Sequence, residues 1–412
     1  MRILLIHQAF ASINEAGGTR HYEMAKYLVS HGHEVVVITS PISYMTGKNK
    51  IAQQWMKIEY PENGIKIIRT YTYPALHKSF VHRVFSFFSF MFSSFFAGLR
   101  ESKIDLVWGT SPPIFQGVTA WLLAFIKRKP FIFEVRDLWP EFAIAVGVLR
   151  NKLLIVASYW LEKFLYRNAD VLIVNSPGFI KHVTQNGARR VELVANGSDV
   201  SMFDFEGFEG TFRINNQLEG KIVFVYAGAH GLSNDLAVVL AAAKLLNEDN
   251  RVHFVFVGDG KEKNNLIQTA NELNLSNVSW VDPIEKNEIG KFFSEMDAGI
   301  AILKPIDLYK TTYPNKVFDY MAAGLPVVLA IDGVIRDVVE EANAGIFVKP
   351  GSPEDFAEKI KILIDDPKNL KQLGINGKLY MKQNFDRNLF SGKLLEIMED
   401  ANKTYGRKNT DR

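Results

Sequence analysis

The 412-residue chain is 47% hydrophobic, enough for two or three domains with sizeable cores. Its lack of cysteine excludes disulfides and thiolate metal sites and permits a reducing compartment. The net charge of +3 hides an imbalance: residues 1–205 carry 23 Lys+Arg and 15 Asp+Glu, the remainder 25 and 30, so +8 stands beside −5, and the basic half suggests an anionic contact, a membrane surface before a nucleic acid.

Ile3-Leu4-Leu5-Ile6 reads as a buried strand rather than a signal peptide. Gly17-Gly18 precedes a helix with His21, Met24, Ala25 and Leu28 in register, and Glu34 to Thr39 is the next strand. In this βαβ opening the glycine pair either lets a phosphate approach the helix N-terminus or makes a plain turn. Residues 78–103 are crowded with phenylalanine. On a helix, Val84, Phe88, Met91, Phe92 and Phe95 share one face, with Ser86, Ser93 and Ala97 opposite and Lys78, Arg83, Arg100 and Lys103 at the ends. The run is too short to span a bilayer comfortably, so it lies in a membrane interface or packs on the sheet. Asp105 to Trp108 and Pro130 to Val135 are further strands. The second runs into Arg136-Asp137-Leu138-Trp139-Pro140-Glu141, charges at a carboxyl edge where α/β sites form, and Arg136 should keep Asp137 ionised. A surface ion pair is the plainer reading.

Val171 to Val174 is a strand, and Val191 to Val194 leads to Asn196-Gly197-Ser198-Asp199. The apolar pattern lapses after Phe203, which sets domains at 1–205 and 221–384, a linker at 206–220, and a C-terminal helix and tail at 385–412 that could cross back to the first domain. Strands restart at Lys221 to Tyr226, followed by Ala227-Gly228-Ala229-His230-Gly231, and at Val252 to Val257, followed by Gly258-Asp259-Gly260. Val278 to Val281 and Ala298 to Leu303 continue the array. The fold class is α/β, two Rossmann-like parallel-sheet domains with a ligand cleft expected between them.

The stretch from Pro314 to Val328 organises the second domain. Pro314 opens a helix, Val317, Phe318 and Met321 face a core, Gly324 ends the helix, and Pro326 stops it before Val327-Val328. Lys316 and Asp319 share a face at the helix N-terminus. Such an end attracts phosphate, or it is an ordinary capped loop with solvated charges.

Gly17-Gly18, Asn196 to Asp199, Gly258-Asp259-Gly260 and Asp319-Tyr320-Met321-Ala322-Ala323-Gly324-Leu325-Pro326, in this order, resemble a retaining nucleotide-sugar glycosyltransferase of the GT-B type, family 4. Arg136 to Glu141 and Tyr226 to Gly231 resemble its N-acetyl-L-fucosamine transferase branch, which acts in O-antigen and capsule assembly. The chain departs from the family with Thr311 at the first of two paired acids, Asp319 at the second, Arg136 in place of a histidine, and Ala229, His230 and Asn234 where an arginine and a lysine usually hold the diphosphate.

The resemblance implies a UDP-sugar donor on Gly17, Gly18, His230, Gly258, Asp259, Lys310, Thr312, Pro314, Asn315 and Asp319, with Lys310 or Lys304 as supporting cations. Lys316, Asp137 and Arg136 would be catalytic, and Arg20, Arg83 and Glu141 would meet a lipid-linked saccharide acceptor at an anionic membrane. It implies no metal, no cofactor and no nucleic acid, and a cytoplasmic protein peripheral on the inner membrane face. A sugar-nucleotide 2-epimerase of the same fold and an inactive membrane scaffold are the competing readings.

Overall fold

The computed structural model describes residues 1–12, 15, 18–43, 47, 49, 54–61, 64–74, 80–205, 208 and 210–410. They form two compact units, one of residues 1–12, 18–195 and 388 onward, the other of residues 196–387.

The first unit runs β1 (Arg2–Ile6), α1 (Arg20–Ser30), β2 (Glu34–Thr39), β3 (Met56–Glu59), β4 (Lys66–Thr70), α2 (Phe80–Arg100), β5 (Leu106–Ser111), α3 (Phe115–Lys127), β6 (Phe131–Val135), α4 (Glu141–Ala145), α5 (Lys152–Asn168), β7 (Val171–Val174), α6 (Ile180–Gln185) and β8 (Val191–Leu193). Its sheet has eight strands in the order β3-β4-β2-β1-β5-β6-β7-β8, all neighbours parallel except β3 against β4. Parallel strands covered on both faces need continuous apolar runs, and Ile3, Leu4, Leu5 and Ile6 are fully buried. The antiparallel edge is a departure from the expected all-parallel sheet. Met56-Lys57-Ile58-Glu59 alternates and stays half-exposed, so it carries no such run.

Helix α2 turns its small residues and Phe90 inward and leaves most of its other rings outside. Ser86, Phe90, Ser93, Ser94 and Ala97 are buried, whereas Val81, Phe85, Phe88, Phe92, Phe96 and Leu99 are exposed. Close packing explains the choice. A Cβ on Gly98 would come within 2.4 Å of Leu123 on α3, Ser93 donates to Tyr71 O at 2.6 Å, and Thr119 donates to Met91 O at 3.0 Å. The apolar face expected through Val84, Phe88, Met91, Phe92 and Phe95 is therefore divided: Phe88 and Phe92 point to solvent, and the others are half-buried.

The second unit runs α7 (Phe212–Asn215), β9 (Ile222–Ala227), α8 (Leu236–Leu245), β10 (Val252–Val257), α9 (Lys263–Glu272), β11 (Val278–Val281), α10 (Lys286–Phe293), β12 (Ala298–Ile302), α11 (Asn315–Ala322), β13 (Val327–Ala330), α12 (Val334–Glu341), β14 (Gly345–Phe347), α13 (Pro353–Asp365) and α14 (Pro367–Tyr380). Its six strands are parallel, ordered β11-β10-β9-β12-β13-β14. The strand order reverses between β9 and β12, and ligands of open parallel sheets gather beyond the carboxyl ends at such a point. Val317, Phe318, Tyr320 and Met321 bury α11 against β9 and β13, and Gly324, at φ +74°, ends it in the left-handed region.

The division expected at 205 lies at Ala195–Asn196 instead. The stretch expected to be a linker is folded onto the second unit: Leu218 is buried, Arg213 bonds Glu295 O at 2.6 Å and pairs with Asp297, and Phe212 packs edge-on against Phe292. The last helix, α15 (Arg387–Thr410), belongs to the first unit from Asn388 onward. There Leu394, Ile397, Met398 and Ala401 share a core with Ile3, Leu5 and Met24.

Candidate active site

In the second unit the loops after β9 and β10 meet backbone to backbone. Gly258 has φ +133°, and a Cβ there would fall 2.0 Å from Gly228 O; a Cβ on Gly260 would fall 2.4 Å from His230 O. Only glycine fits such an approach. Asp259 serves this turn, since Gly260 N–H donates to its Oδ1 at 2.7 Å. Lys263 donates to Gly258 O at 2.9 Å. Tyr226 hydroxyl donates to Ala229 O at 2.7 Å, and Asn234 Nδ2 to the same oxygen at 3.0 Å.

Lys316 rises from the first turn of α11 toward these loops. Its Nζ lies 3.8 Å from the centre of the Tyr226 ring and 3.4 Å from Asn234 Oδ1, and a Cβ on Gly228 would sit 3.3 Å away. It makes no ion pair among the described residues. Burial, with no carboxylate to offset it, lowers its amine to about pKa 7. The half-buried amine thus faces a ring, an amide oxygen and glycine backbone rather than a carboxylate, an arrangement open to an anion.

His230 does not present its ring as a surface donor-binding group. It is fully buried between Tyr226, Phe256 and Trp280. Burial, helped by Lys263 and Lys316, lowers it to about pKa 4, so the imidazole is neutral. Asp319 is engaged on both oxygens, by Ser198 Oγ at 2.6 Å and Lys286 Nζ at 2.7 Å. Pro314 is the residue before α11 and accepts from Val317 N–H at 3.2 Å. Asn315 Oδ1 is buried without a hydrogen bond. Thr312 Oγ1 is turned back to Tyr309 O at 2.8 Å. Lys310 does not join Lys316: it is exposed and paired with Asp307 at 2.9 Å. Lys304 lies near Asp235, whose carboxyl it lowers against burial.

In the first unit, the acceptor role expected for Arg20 does not hold. The residue is 1% exposed. Its Nε pairs with Glu134 at 3.0 Å, and its remaining nitrogens donate to Ala195 O and Val194 O at 2.7 Å. Glu134 also accepts from His21 Nε2 at 3.0 Å and Trp108 Nε1 at 3.1 Å. Burial opposes the charge of Glu134, but His21 and Arg20 hold it well below the usual carboxylate range. His21 is lowered to about 4 by burial and remains neutral. Arg136 adds to this field and donates its backbone N–H to Ser111 O at 3.2 Å. Desolvation raises Asp137 to about 6 against the pull of Arg136, so it stays mostly ionised at neutral pH, as expected, but with less help from Arg136 than expected. Glu141 opens α4 and lies 3.5 Å from His182. Arg83 sits half-buried in the first turn of α2. Gly18 is exposed just before α1; Gly17 and Lys78 lie outside the described residues.

Lys286 carried no signal in the sequence, because only folding sets the first residue of α10 against Asp319. Tyr320 is a second omission: its buried hydroxyl accepts from Ala227 N–H at 2.8 Å and ties α11 to the end of β9. Its place in the glycine-ended helix motif was the available clue.

Comparison with known proteins agrees over most of the chain. Residues 16–197 match the family described as glycosyl transferase 4-like domain, and residues 208–380 match glycosyl transferases group 1. The protein of Escherichia coli K12 named "Putative colanic acid biosynthesis glycosyl transferase WcaI" is 24% identical over 316 residues, 73% of this chain and 76% of that one. Among solved structures, sucrose-phosphate synthase from Thermosynechococcus elongatus superposes with a TM-score of 0.78 at 17% identity, covering 97% of this chain and 98% of that one. HepE of Anabaena, solved with UDP-glucose, gives 0.73 at 17% identity, covering 97% and 100%. The GT-B fold, two Rossmann-like parallel-sheet domains, is common to them.

Proposed function

The chain belongs to the group 1 and family 4-like glycosyltransferases, and from that premise we propose that it moves a sugar, with retention of configuration, from a UDP-sugar to a polyprenyl-diphosphate-linked saccharide in surface-polysaccharide assembly. The donor sugar in this proposal is N-acetyl-L-fucosamine or another N-acetylated hexosamine. The observation that carries it is Lys316: a desolvated amine at a helix N-terminus, over Tyr226, with no carboxylate beside it. As the sugar departs, negative charge builds on the diphosphate, and a preorganised cation in a dry site stabilises it more than water does. Backbone N–H groups at the head of α11 act in the same sense. Relatives support the donor and the pathway: HepE was solved with UDP-glucose, and the name of WcaI refers to colanic acid biosynthesis.

Asp137 positions the acceptor hydroxyl. At about pKa 6 it is mostly ionised at neutral pH and can accept a hydroxyl proton. Asp319, held by Ser198 and Lys286, retains lone pairs for a ribose hydroxyl. No enzyme nucleophile is assigned; attack and departure occur on the same face of the sugar. The exposed rings of α2 and the basic character of residues 1–205 support peripheral docking on an anionic inner membrane face. No helix among the described residues is long and apolar enough to cross a membrane.

A panel of UDP-sugars incubated with the protein and a polyprenyl-diphosphate saccharide tests this reading. It expects UDP release that requires the acceptor, and an anomeric centre of unchanged configuration by NMR. Isomerisation of donor alone would make the protein an epimerase, and the absence of turnover with every donor would contradict the proposal.

A further inference from the structure

Glu141 at the start of α4, Glu162 on α5 and His182 on α6 bring their side-chain ends together in the first unit. His182 Nε2 stands 2.8 Å from Glu162 Oε1 and 3.5 Å from Glu141 Oε1, and one ligand atom from each of the three lies within 4.8 Å of the others. Glu162 has no side-chain exposure, and its Oε2, like Glu141 Oε2, is buried without a well-formed hydrogen bond. Tyr159 lies beside Glu141, Tyr166 beside Glu162, and Asn186 Nδ2 stands 3.2 Å from His182 Nε2, a contact that a cation would replace; among the described residues no lysine or arginine pairs with the cluster. Two carboxylates facing one imidazole are short of positive charge. Burial and then Glu162 raise Glu141; His182, which burial alone would lower, is raised by Glu162 and Glu141.

We propose that Glu141, Glu162 and His182 bind a zinc-type divalent cation that pins the β6–α4 loop to α5 and α6. Two carboxylates and a neutral imidazole balance such an ion, and this nitrogen–oxygen donor set suits zinc while leaving a fourth position open. Ligand atoms about 2.0–2.2 Å from a tetrahedral zinc ion stand roughly 3.3–3.6 Å apart. The observed 3.5 Å fits that edge, and the 2.8 Å hydrogen bond opens by a side-chain adjustment. Magnesium, which prefers oxygen ligands and retains its waters, is disfavoured. The ion lies outside the donor machinery; it braces the loop that carries Arg136 and Asp137, so its role does not depend on which sugar is transferred.

The test is calorimetric titration of the full-length protein, stripped with EDTA and desalted, with zinc chloride and separately with magnesium chloride. The expected result is one saturable equivalent of zinc, no comparable magnesium binding, and a rise in Tm with zinc. His182→Ala should weaken zinc binding by roughly 100-fold, and Glu162→Gln similarly, while His31→Ala on exposed surface should not. Should Glu162→Gln fail to fold, His182→Ala on the partly exposed α6 decides alone. Zinc binding that is non-saturable, or equal in wild type and His182→Ala, would overturn the proposal, whatever the outcome of the sugar-transfer assay.

Discussion

Arg20 and Lys316 are both basic residues in the first turn of a helix beside a sheet edge, and the fold treats them in opposite ways. Arg20 is saturated: Glu134 neutralises it, and two backbone carbonyls take its remaining donors. Lys316 has an aromatic face and one long amide contact, and its amine is driven toward neutrality. A buried cation with all its partners in place holds structure together. One desolvated without a carboxylate has binding energy left for an anion. The contrast supports a structural role for the first site and the proposed donor role for the second.

The largest expected effect breaks the first site. Arg20→Ala leaves Glu134 buried without its cation and should cost about 3–5 kcal/mol of stability. Urea unfolding followed by tryptophan fluorescence checks this; an unchanged midpoint would mean that Arg20 is not structural. Lys316→Ala is the mirror case: turnover should fall by about 10²–10³-fold while the unfolding midpoint holds or rises, because a desolvated charge has been removed. Asp319→Asn should weaken UDP binding by about 1.5–3 kcal/mol by calorimetry. Unchanged affinity would reduce Asp319 to the anchor of Ser198 and Lys286. The smallest effect concerns the membrane. Replacing the exposed Phe85, Phe92 and Phe96 with Ser should lower sedimentation with anionic vesicles by roughly tenfold and leave the fold intact, and salt should weaken what remains. Equal partitioning onto neutral and anionic vesicles would count against docking.

Both sheets and the helix from Asn315 to Ala322 were legible because fully buried parallel strands and a glycine-ended helix leave local patterns, whereas the strand order, set by long-range pairing, was not. The place of Lys316 at the head of that helix was legible for the same reason, since it follows Pro314. The fate of Arg20 was not, since Glu134 and Ala195 are far away in sequence and a buried arginine spells the same as an exposed one. Helix α2 misled through its rings. Periodicity showed that one face was small and another aromatic, but the approach of Leu123 to Gly98 decided which face went inward. Glu141, expected at the acceptor, lies with Glu162 and His182, neither of which belongs to a local motif.

The most direct test of the central claim is the affinity for UDP as a function of pH, measured by calorimetry between pH 7.5 and 9.5, where the phosphates of the nucleotide are already ionised. An amine with a pKa of about 7 in the free protein must be protonated to meet the diphosphate. His230, at about 4, stays neutral throughout this range. Affinity should therefore fall as pH rises, approaching tenfold per unit until the amine in the complex also loses its proton, and Lys316→Met should bind weakly with no such slope. The same slope in Lys316→Met, or a flat profile in the wild type, would contradict the assignment of Lys316 to the diphosphate.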